Sequence, residues 1–301
     1  MRLQPDCIPC ILRVTLSALK KISPDENSVK ALYAEILEIP ALRGLFWDIT
    51  PAEVIEDIWK KIIKKADSSD PFHTVKLGQN EKIMALYPFL EKMVNEAADP
   101  LRLAVKLSIL GNSMDLMVAD SSVAIENSIA EKAKLPLSDE NYSKFREQLR
   151  ASQHLVIFGD NAGEIVFDRL LIETINKIYQ TQIAFVVRSV PTLNDATLKE
   201  AKSAGLDQVA TVTENGIDGP LPGTLLSRCS SKVKELVRQS DLIISKGGGN
   251  FDTLDEERKH LDKNISFLLL SKCEPYYRYF GIKLYQPILA NFYTSCLKNT
   301  F

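Results

Sequence analysis

The segment HLVIFGDNAGEIVFD, residues 154–168, decides the fold. Its apolar run, 155–158, ends at Gly159, and the polar pair Asp160 and Asn161 follows at once. Farther on, apolar residues at 165, 166, 170, 171 and 175 recur at roughly helical spacing. This pattern predicts a buried strand, a loop and a helix. A carboxylate and an amide then lie at the carboxyl end of the strand, where open α/β sheets bind their ligands.

Apolar runs of strand length recur through the second half of the chain. They occur at 155–158, 183–187, 209–212, 242–244 and 265–270, and the intervals between them are long enough for crossover helices. Such alternation is typical of βαβ units in a parallel sheet that is covered on both faces. We therefore predict an α/β domain over residues 153–301.

The first half of the chain, residues 1–152, reads as helical almost throughout. Ser23 to Glu26 and Thr50 to Glu53 carry helix start signals, and Pro88 is expected to kink or break a helix over 79–97. The polar segment GNSMD, 111–115, stands between apolar neighbours, so it faces a cleft or ends a helix. We predict that this helical region caps the cleft of the α/β domain.

Composition places the chain among ordinary globular proteins. It has 301 residues, of which 45% are apolar and 25% charged, enough for one large or two smaller domains. A net charge of −2 gives no overall electrostatic reason to expect nucleic acid or an anionic membrane as a partner. The sequence has no run of about twenty apolar residues and no signal-peptide core, so we predict a cytoplasmic protein.

The cysteines predict reduced thiols rather than a disulfide framework, because their count of five is odd and no secretory signal is present. Cys7 and Cys10 form the one close pair, and the sequence supplies no second pair at zinc-site spacing. Two interpretations stay open for this pair: thiols on the first turn of a helix, or a metal or redox role.

Polar residues follow four of the predicted strands. Because parallel strands bring their carboxyl ends to one edge, we expect these residues to meet there. They comprise acids, amides and cations: Asp160, Asn161, Arg188, Asn194, Asp195, Lys246, Asn250 and Lys272.

Three of these residues form a candidate metal site. Asp160, Asn161 and Asp195 offer the oxygen ligands that Mg²⁺ prefers, and Mg²⁺ commonly uses only one or two carboxylates. The neighbours Asp160 and Asn161 can instead cap a helix or form an Asx turn, and so can the neighbours Asn194 and Asp195. Their combination with cationic and glycine-rich loops at one edge favours the metal site.

Lys246 and the glycines 247–249 form a candidate anion site, because glycines let backbone N–H groups approach a ligand. A plain flexible turn is the alternative. The spacing matches neither a P-loop nor a dinucleotide fingerprint. Arg188 and Lys272 are weaker candidates, as solvated cations at strand ends. A metal beside an anion cradle suggests phosphoryl-group chemistry.

Two acids begin the helix that follows the first strand. Glu164 or Asp168 could act as a general base, although such positions more often complement the helix dipole or face solvent.

Three motifs together resemble the metal-dependent damage-control phosphatases, formerly domain of unknown function 89: GDNAGE at 159–164, PTLNDAT at 191–197 and SKGGGNFDTL at 245–254. Three further segments are similar to the compact archaeal and bacterial branch of that family: PDCIPCIL at 5–12, GNSMD at 111–115 and SKC at 271–273.

The resemblance implies a three-layer α/β/α sandwich, preceded by the helical region, that hydrolyses phosphate monoesters of small metabolites such as sugar phosphates. It implies a divalent metal, Mg²⁺, Mn²⁺, Co²⁺ or Ni²⁺, on Asp160, Asn161 and Asp195. Lys246 would bind the phosphate, with glycines 247 and 248 and Asn250 nearby and with Asn112 and Asp115 reaching in from the helical region. Related sequences often carry glutamine in place of Gly248.

Two other functions remain as alternatives. The same cleft could serve a non-catalytic protein that binds phosphorylated metabolites. A methyltransferase is the other alternative, although the glycine-rich nucleotide loop is missing after the first strand. The sequence leaves open the substrate, the mode of attack on phosphorus and the oligomeric state.

Overall fold

The computed structural model describes residues 1–23, 25–66, 68–112 and 122–293. Its first half is built from eight helices within that range: α1 (Cys7–Ile22), α2 (Glu26–Leu37), α3 (Pro51–Lys65), α4 (His73–Ala85), α5 (Tyr87–Asn95), α6 (Pro100–Gly111), α7 (Ser122–Lys132) and α8 (Asp139–Ala151).

Local sequence signals set the ends of these helices. Thr50 and Glu53 form a reciprocal capping box at the start of α3, with Pro51 at its first position. Pro88 lies in the first turn of α5, which separates this helix from α4 and confirms the predicted break.

The second half forms one six-stranded sheet. Its strands are β1 (His154–Phe158), β2 (Gln182–Val187), β3 (Thr211–Glu214), β4 (Leu242–Lys246), β5 (Asn264–Leu270) and β6 (Pro287–Phe292). Their order is β3-β2-β1-β4-β5-β6, and every neighbouring pair is parallel except β5 and β6. The helices between and after the strands are α9 (Glu164–Ile178), α10 (Leu198–Ser203), α11 (Ser231–Gln239), α12 (Gly247–Glu257) and α13 (Glu274–Phe280).

Helices cover both faces of this sheet, which confirms the predicted α/β sandwich. Leu155 and Ile157 of β1 face a core shared with α6, α8 and α9, while Val156 and Phe158 face a core shared with α11 and α12. A third core joins α1, α2 and α3. Helices α6 and α8, from the half predicted as a separate helical region, thus pack directly on the sheet.

Two details of the sheet differ from the prediction. The third strand covers 211–214 rather than 209–212, because residues 206–208 form a 3-10 turn and Val209 continues it with a hydrogen bond to Leu206. Strand β6 was not predicted. It lies antiparallel at the sheet edge, beside β5.

Strand order places a crevice between β1 and β4. β1 pairs with β2 on one side and with β4 on the other, so the chain reverses its winding direction there. Ligands of open α/β sheets bind at such switch points, beyond the carboxyl ends of the strands. In the described ranges, no helix is long and apolar enough to cross a membrane.

Candidate functional site

Backbone hydrogen bonds join the loops that follow β1 and β2. The N–H of Ala196 donates to the carbonyl of Asp160 at 2.8 Å, and the N–H of Ala162 donates to the carbonyl of Asn194 at 2.9 Å. Asn161 and Asp195 form an isolated antiparallel bridge. The three predicted metal ligands, Asp160, Asn161 and Asp195, therefore lie side by side at the switch point.

The two aspartates are almost completely buried and share one cation. Arg188 Nε donates to Asp195 Oδ2 at 2.7 Å, and its Nη2 lies 3.4 Å from Asp160 Oδ1. Burial and the carboxylates of Asp195 and Glu164 raise the pKa of Asp160 well above its usual value. Burial also raises the pKa of Asp195, although Arg188 opposes this change. The negative charge of this pair is only partly compensated.

Arg188, which contacts both carboxylates, also binds Asn250. Arg188 Nη1 donates to Asn250 Oδ1 at 2.9 Å and also contacts Gly223 and Thr224, while Asn250 Nδ2 donates to the carbonyls of Gly159 and Lys246. Both side chains are buried. The structure brings them to the predicted edge, where their polar atoms already bind protein groups.

Two amides connect Asp160 to Glu164 at the start of α9. Asn112, which follows α6, donates through Nδ2 to Asp160 Oδ2 at 3.0 Å and to Glu164 Oε2 at 2.7 Å. Asn161 Nδ2 donates to Asp160 Oδ2 at 3.0 Å and to Glu164 Oε2 at 3.3 Å. Asn112 thus reaches the site from the helical half, at the position that the family resemblance implied. Asp115 lies outside the described residues.

Lys246 occupies a different place from the one expected. Its ammonium is completely buried and donates to Glu164 Oε1 at 2.6 Å, Asp168 Oδ1 at 2.7 Å and the carbonyl of Ser108 at 2.9 Å. Burial disfavours the charged ammonium, but Asp168 and Glu164 outweigh this effect and raise the pKa of Lys246. A lysine has three N–H donors, so none is left for a phosphate oxygen in this arrangement.

Sequence reasoning missed the partners of Lys246. Asp168 follows Glu164 by four residues, so both face the same side of α9, and this spacing was the available signal. Burial raises the pKa of Asp168 to about 6, although Lys246 and the hydroxyl of Ser108 lower it. Ser108 belongs to α6, and nothing in its local sequence indicated this contact.

Among the three cations predicted at this edge of the sheet, Arg188 and Lys246 are buried and Lys272 is exposed. It follows β5, its side chain is exposed, and no hydrogen bond or ion pair engages its ammonium within the described part of the chain. Crowding by protein atoms disfavours its charge, but the carboxylates of Asp160 and Asp252 outweigh this and raise the pKa of Lys272.

The glycines after β4 allow close approaches. Gly247 has a φ of +74°, and a methyl group on its Cα would overlap the Asp160 carboxylate. At Gly248, a methyl group would overlap the hydroxyl of Tyr276. The Asp160 carboxylate therefore rests on the first residue of α12, and Tyr276 fills the space that a longer side chain at 248 would need.

The residues present fit a divalent cation. Four buried carboxylates, those of Asp160, Glu164, Asp168 and Asp195, surround two buried cations, Arg188 and Lys246. The cluster therefore holds two more acidic groups than buried cations. Oxygen donors with excess negative charge are the ligand set of hard divalent ions, and an asparagine amide can present its oxygen to them as well.

Cys7 and Cys10 lie on the first turn of α1. Cys7 is half-buried and Cys10 is exposed. Burial raises the pKa of the Cys7 thiol to about 11, so this thiol is protonated at neutral pH. A metal or redox role for the pair stays a prediction.

Comparison with known proteins identifies the family. The damage-control phosphatase ARMT1-like domain matches residues 3–288 of this chain. The chain belongs to the ARMT1-like damage-control phosphatase family. A crystal structure of a member of this family, described as the DUF89 family protein PH1575 of Pyrococcus horikoshii, superposes with a TM-score of 0.85 at 26% identity, covering 96% of this chain and 98% of that one.

Two sequence relatives also span nearly the whole ARMT1-like chain. The damage-control phosphatase of Archaeoglobus fulgidus is 29% identical, covering 94% of this chain and 97% of its own. The uncharacterized protein MJ0202 of Methanocaldococcus jannaschii is 30% identical, covering 96% of this chain and 95% of its own. Membership confirms the resemblance seen in the motifs and supports a phosphatase role.

Proposed function

We propose that the protein is a metal-dependent phosphatase that hydrolyses phosphate monoesters of small metabolites, such as sugar phosphates. One observation carries the proposal: Asp160 lies at the switch point between Asp195 and Glu164, buried, and with its negative charge only partly compensated. Perturbed carboxylates of this kind in a crevice are typical of catalytic sites. The family assignment supports the coarser part of the proposal, a phosphatase role.

Asp160, Asn161 and Asp195 would hold the ion, with Mg²⁺, Mn²⁺, Co²⁺ or Ni²⁺ as candidates. When bound, a divalent ion supplies charge that neutralises phosphoryl oxygens and lowers the pKa of water. The buried guanidinium of Arg188 orients both aspartates, since separate nitrogens contact each carboxylate. This contact fixes the distance between the two carboxylates before a substrate arrives.

Lys272, rather than Lys246, contacts the phosphate group of the substrate. Its side chain is exposed and lies close enough to Asp160 for the two charges to interact, whereas Lys246 is enclosed by Glu164 and Asp168. Helix α12 also begins at Gly247, next to the Asp160 carboxylate, and N-termini of helices favour anions. Lys246 instead acts as a positioning residue that holds Glu164 against the amides of Asn112 and Asn161.

The decisive experiment compares phosphate release by wild type and Asp160→Asn. We expect release from p-nitrophenyl phosphate and from a panel of sugar phosphates to need added Mn²⁺ or Co²⁺, and to fall about 100-fold or more in the variant. Asp262→Asn, at an exposed aspartate, is the matched control and should keep wild-type activity.

Two results would count against the proposal. If no ester in the panel is hydrolysed faster by wild type than by Asp160→Asn with any metal, the chain is not this kind of phosphatase. If esters then bind without turnover, the site belongs to a protein that only binds phosphorylated metabolites.

A further inference from the structure

A second set of ligand atoms lies away from the strand ends. Asp70 precedes α4, His73 is the first residue of α4, and Glu200 lies in α10. One ligand atom from each falls within 4.8 Å of the other two. His73 Nδ1 is 3.9 Å from Asp70 Oδ2 and 3.8 Å from Glu200 Oε1. These residues share no member with the proposed catalytic site.

Two atoms that face each other in this cluster lack hydrogen bonds. Glu200 has no solvent-exposed surface, and its Oε2 accepts hydrogen bonds from the N–H and the hydroxyl of Thr197. Its Oε1 is buried without a partner among the described residues, and so is Nδ1 of His73. Buried polar atoms normally bind something, because leaving them unpaired is costly.

The spacing suits a bound ion better than a direct hydrogen bond. Distances of 3.8 and 3.9 Å are too long for an N–H···O bond. Ligands that sit about 2.1 Å from a tetrahedral ion are roughly 3.4 Å apart, so the imidazole and the two carboxylates, which now lie within 4.8 Å of one another, would move inward around an ion.

The ammonium of Lys76 lies in the same cluster, so its positive charge must be counted in deciding whether the cluster attracts a cation. This buried ammonium is 2.7 Å from Asp70 Oδ2 and 3.4 Å from Glu200 Oε2. With His73 neutral, one ammonium and two carboxylates leave a net charge of one negative unit. A divalent cation is therefore still attracted, although less strongly than at a site without a lysine.

We propose that Asp70, His73 and Glu200 bind Zn²⁺. One imidazole nitrogen with two carboxylate oxygens is a zinc ligand set, whereas Mg²⁺ and Ca²⁺ favour oxygen alone. The ion joins the chain before α4 to α10, which directly follows the loop that carries Asp195. It thereby fastens the helical half of the chain to that loop.

The test isolates this site by using the Asp160→Asn/Asp195→Asn background, in which the strand-end ligands are removed. We expect calorimetric titration with ZnCl₂ to give one ion per chain, and bound Zn²⁺ to raise Tm. His73→Gln in the same background should weaken binding at least 10-fold. His154→Gln is the control, because its Nδ1 lies 3.8 Å from Asp241 in a similar histidine–aspartate pair.

A second measurement uses the wild-type chain and does not depend on any variant. The protein has three histidines, so the imidazole ¹⁵N signals can be resolved by NMR. We expect Zn²⁺ to shift Nδ1 of His73 while the signals of His154 and His260 stay in place. Equal zinc affinity in His73→Gln and His154→Gln, or an unchanged His73 signal, would overturn the proposal and leave the cluster an ion-pair network only.

Discussion

The ammonium of Lys246 lies 2.6 Å from Glu164 Oε1, and neither side chain has more than 1% of its surface exposed. The other oxygen of Glu164 accepts a hydrogen bond from Asn112, which also donates to Asp160. A continuous polar chain therefore runs from the buried lysine to the proposed metal ligand. Lys246 affects the site through the carboxylate and the amide that it holds in place.

Replacing Lys246 by methionine is expected to destabilise the protein strongly. The change leaves Glu164 and Asp168 buried without their cation, and breaking a buried pair in this way costs about 3–5 kcal/mol. Urea unfolding at pH 7 measures the loss. Adding Asp168→Asn to Lys246→Met should recover part of it, because one of the stranded charges is removed. A loss below about 1 kcal/mol would contradict this account.

Gly247→Ala is expected to abolish activity by displacing Asp160. The alanine methyl group would occupy the space of the Asp160 carboxylate, so Mn²⁺ affinity and phosphate release should both fall at least about 100-fold. Calorimetry with Mn²⁺ and a phosphate-release assay measure the two effects.

Gly281→Ala provides the matched control for Gly247→Ala. Its φ is +68°, close to the +74° of Gly247, but no atom lies within 4 Å of an added methyl group. The backbone strain is thus similar in both variants, and only Gly247→Ala disturbs the site. If the two variants lost activity equally, the close approach of Asp160 to Gly247 would have no functional importance.

The sheet could be predicted where burial dominates the sequence. Strands buried on both faces, such as 155–158 and 265–270, are continuous apolar runs. Strand β6, with sequence PILANF, was missed because it starts with proline, contains asparagine and is only half-buried at the edge of the sheet. Its position depends on antiparallel pairing with β5, which local sequence does not encode.

The candidate site, too, could be predicted only in part from the sequence. Asp160, Asn161 and Asp195 were expected together because the ends of neighbouring parallel strands must meet. The contacts of the Lys246 ammonium could not be predicted, because they depend on how α6 and α9 pack over β4. The pair His73 and Glu200 was missed for the same reason, since the two residues come from distant helices.

Lys272→Ala is expected to weaken substrate binding without weakening the fold. Its side chain is exposed and makes no hydrogen bond or ion pair within the described residues, so Tm should stay within about 2 °C of wild type. KM for a phosphate ester and the inhibition constant of inorganic phosphate should each rise about 10-fold, the effect of losing one charge-assisted hydrogen bond.

The control for Lys272→Ala is Lys283→Ala, which removes an exposed lysine just after α13. We expect it to leave KM and phosphate inhibition unchanged. If Lys272→Ala also left KM and the inhibition constant of phosphate unchanged, another group of the site would bind the phosphate.

Asp252 makes stability depend on pH in a direction opposite to that of a salt-bridged carboxylate. Burial raises its pKa from 3.8 to about 7, even though the hydroxyl of Tyr276, 3.2 Å away, lowers it. Between these two values the native state keeps a proton that the unfolded chain has lost. The contribution of this group to stability is therefore complete below about pH 4 and is lost as pH rises toward 7.

Asp252→Asn is consequently expected to match wild type at pH 4 and to be more stable at pH 8, by a difference on the order of 4 kcal/mol. The asparagine is neutral at every pH, and its oxygen can still accept the hydrogen bond from Tyr276. Urea unfolding from pH 4 to pH 8 measures the divergence of the two stability curves. Asp262→Asn, at an exposed carboxylate, should run parallel to wild type throughout. A constant offset between Asp252→Asn and wild type would mean that Asp252 ionises normally in the folded protein, because only a proton retained on folding makes the two curves separate with pH.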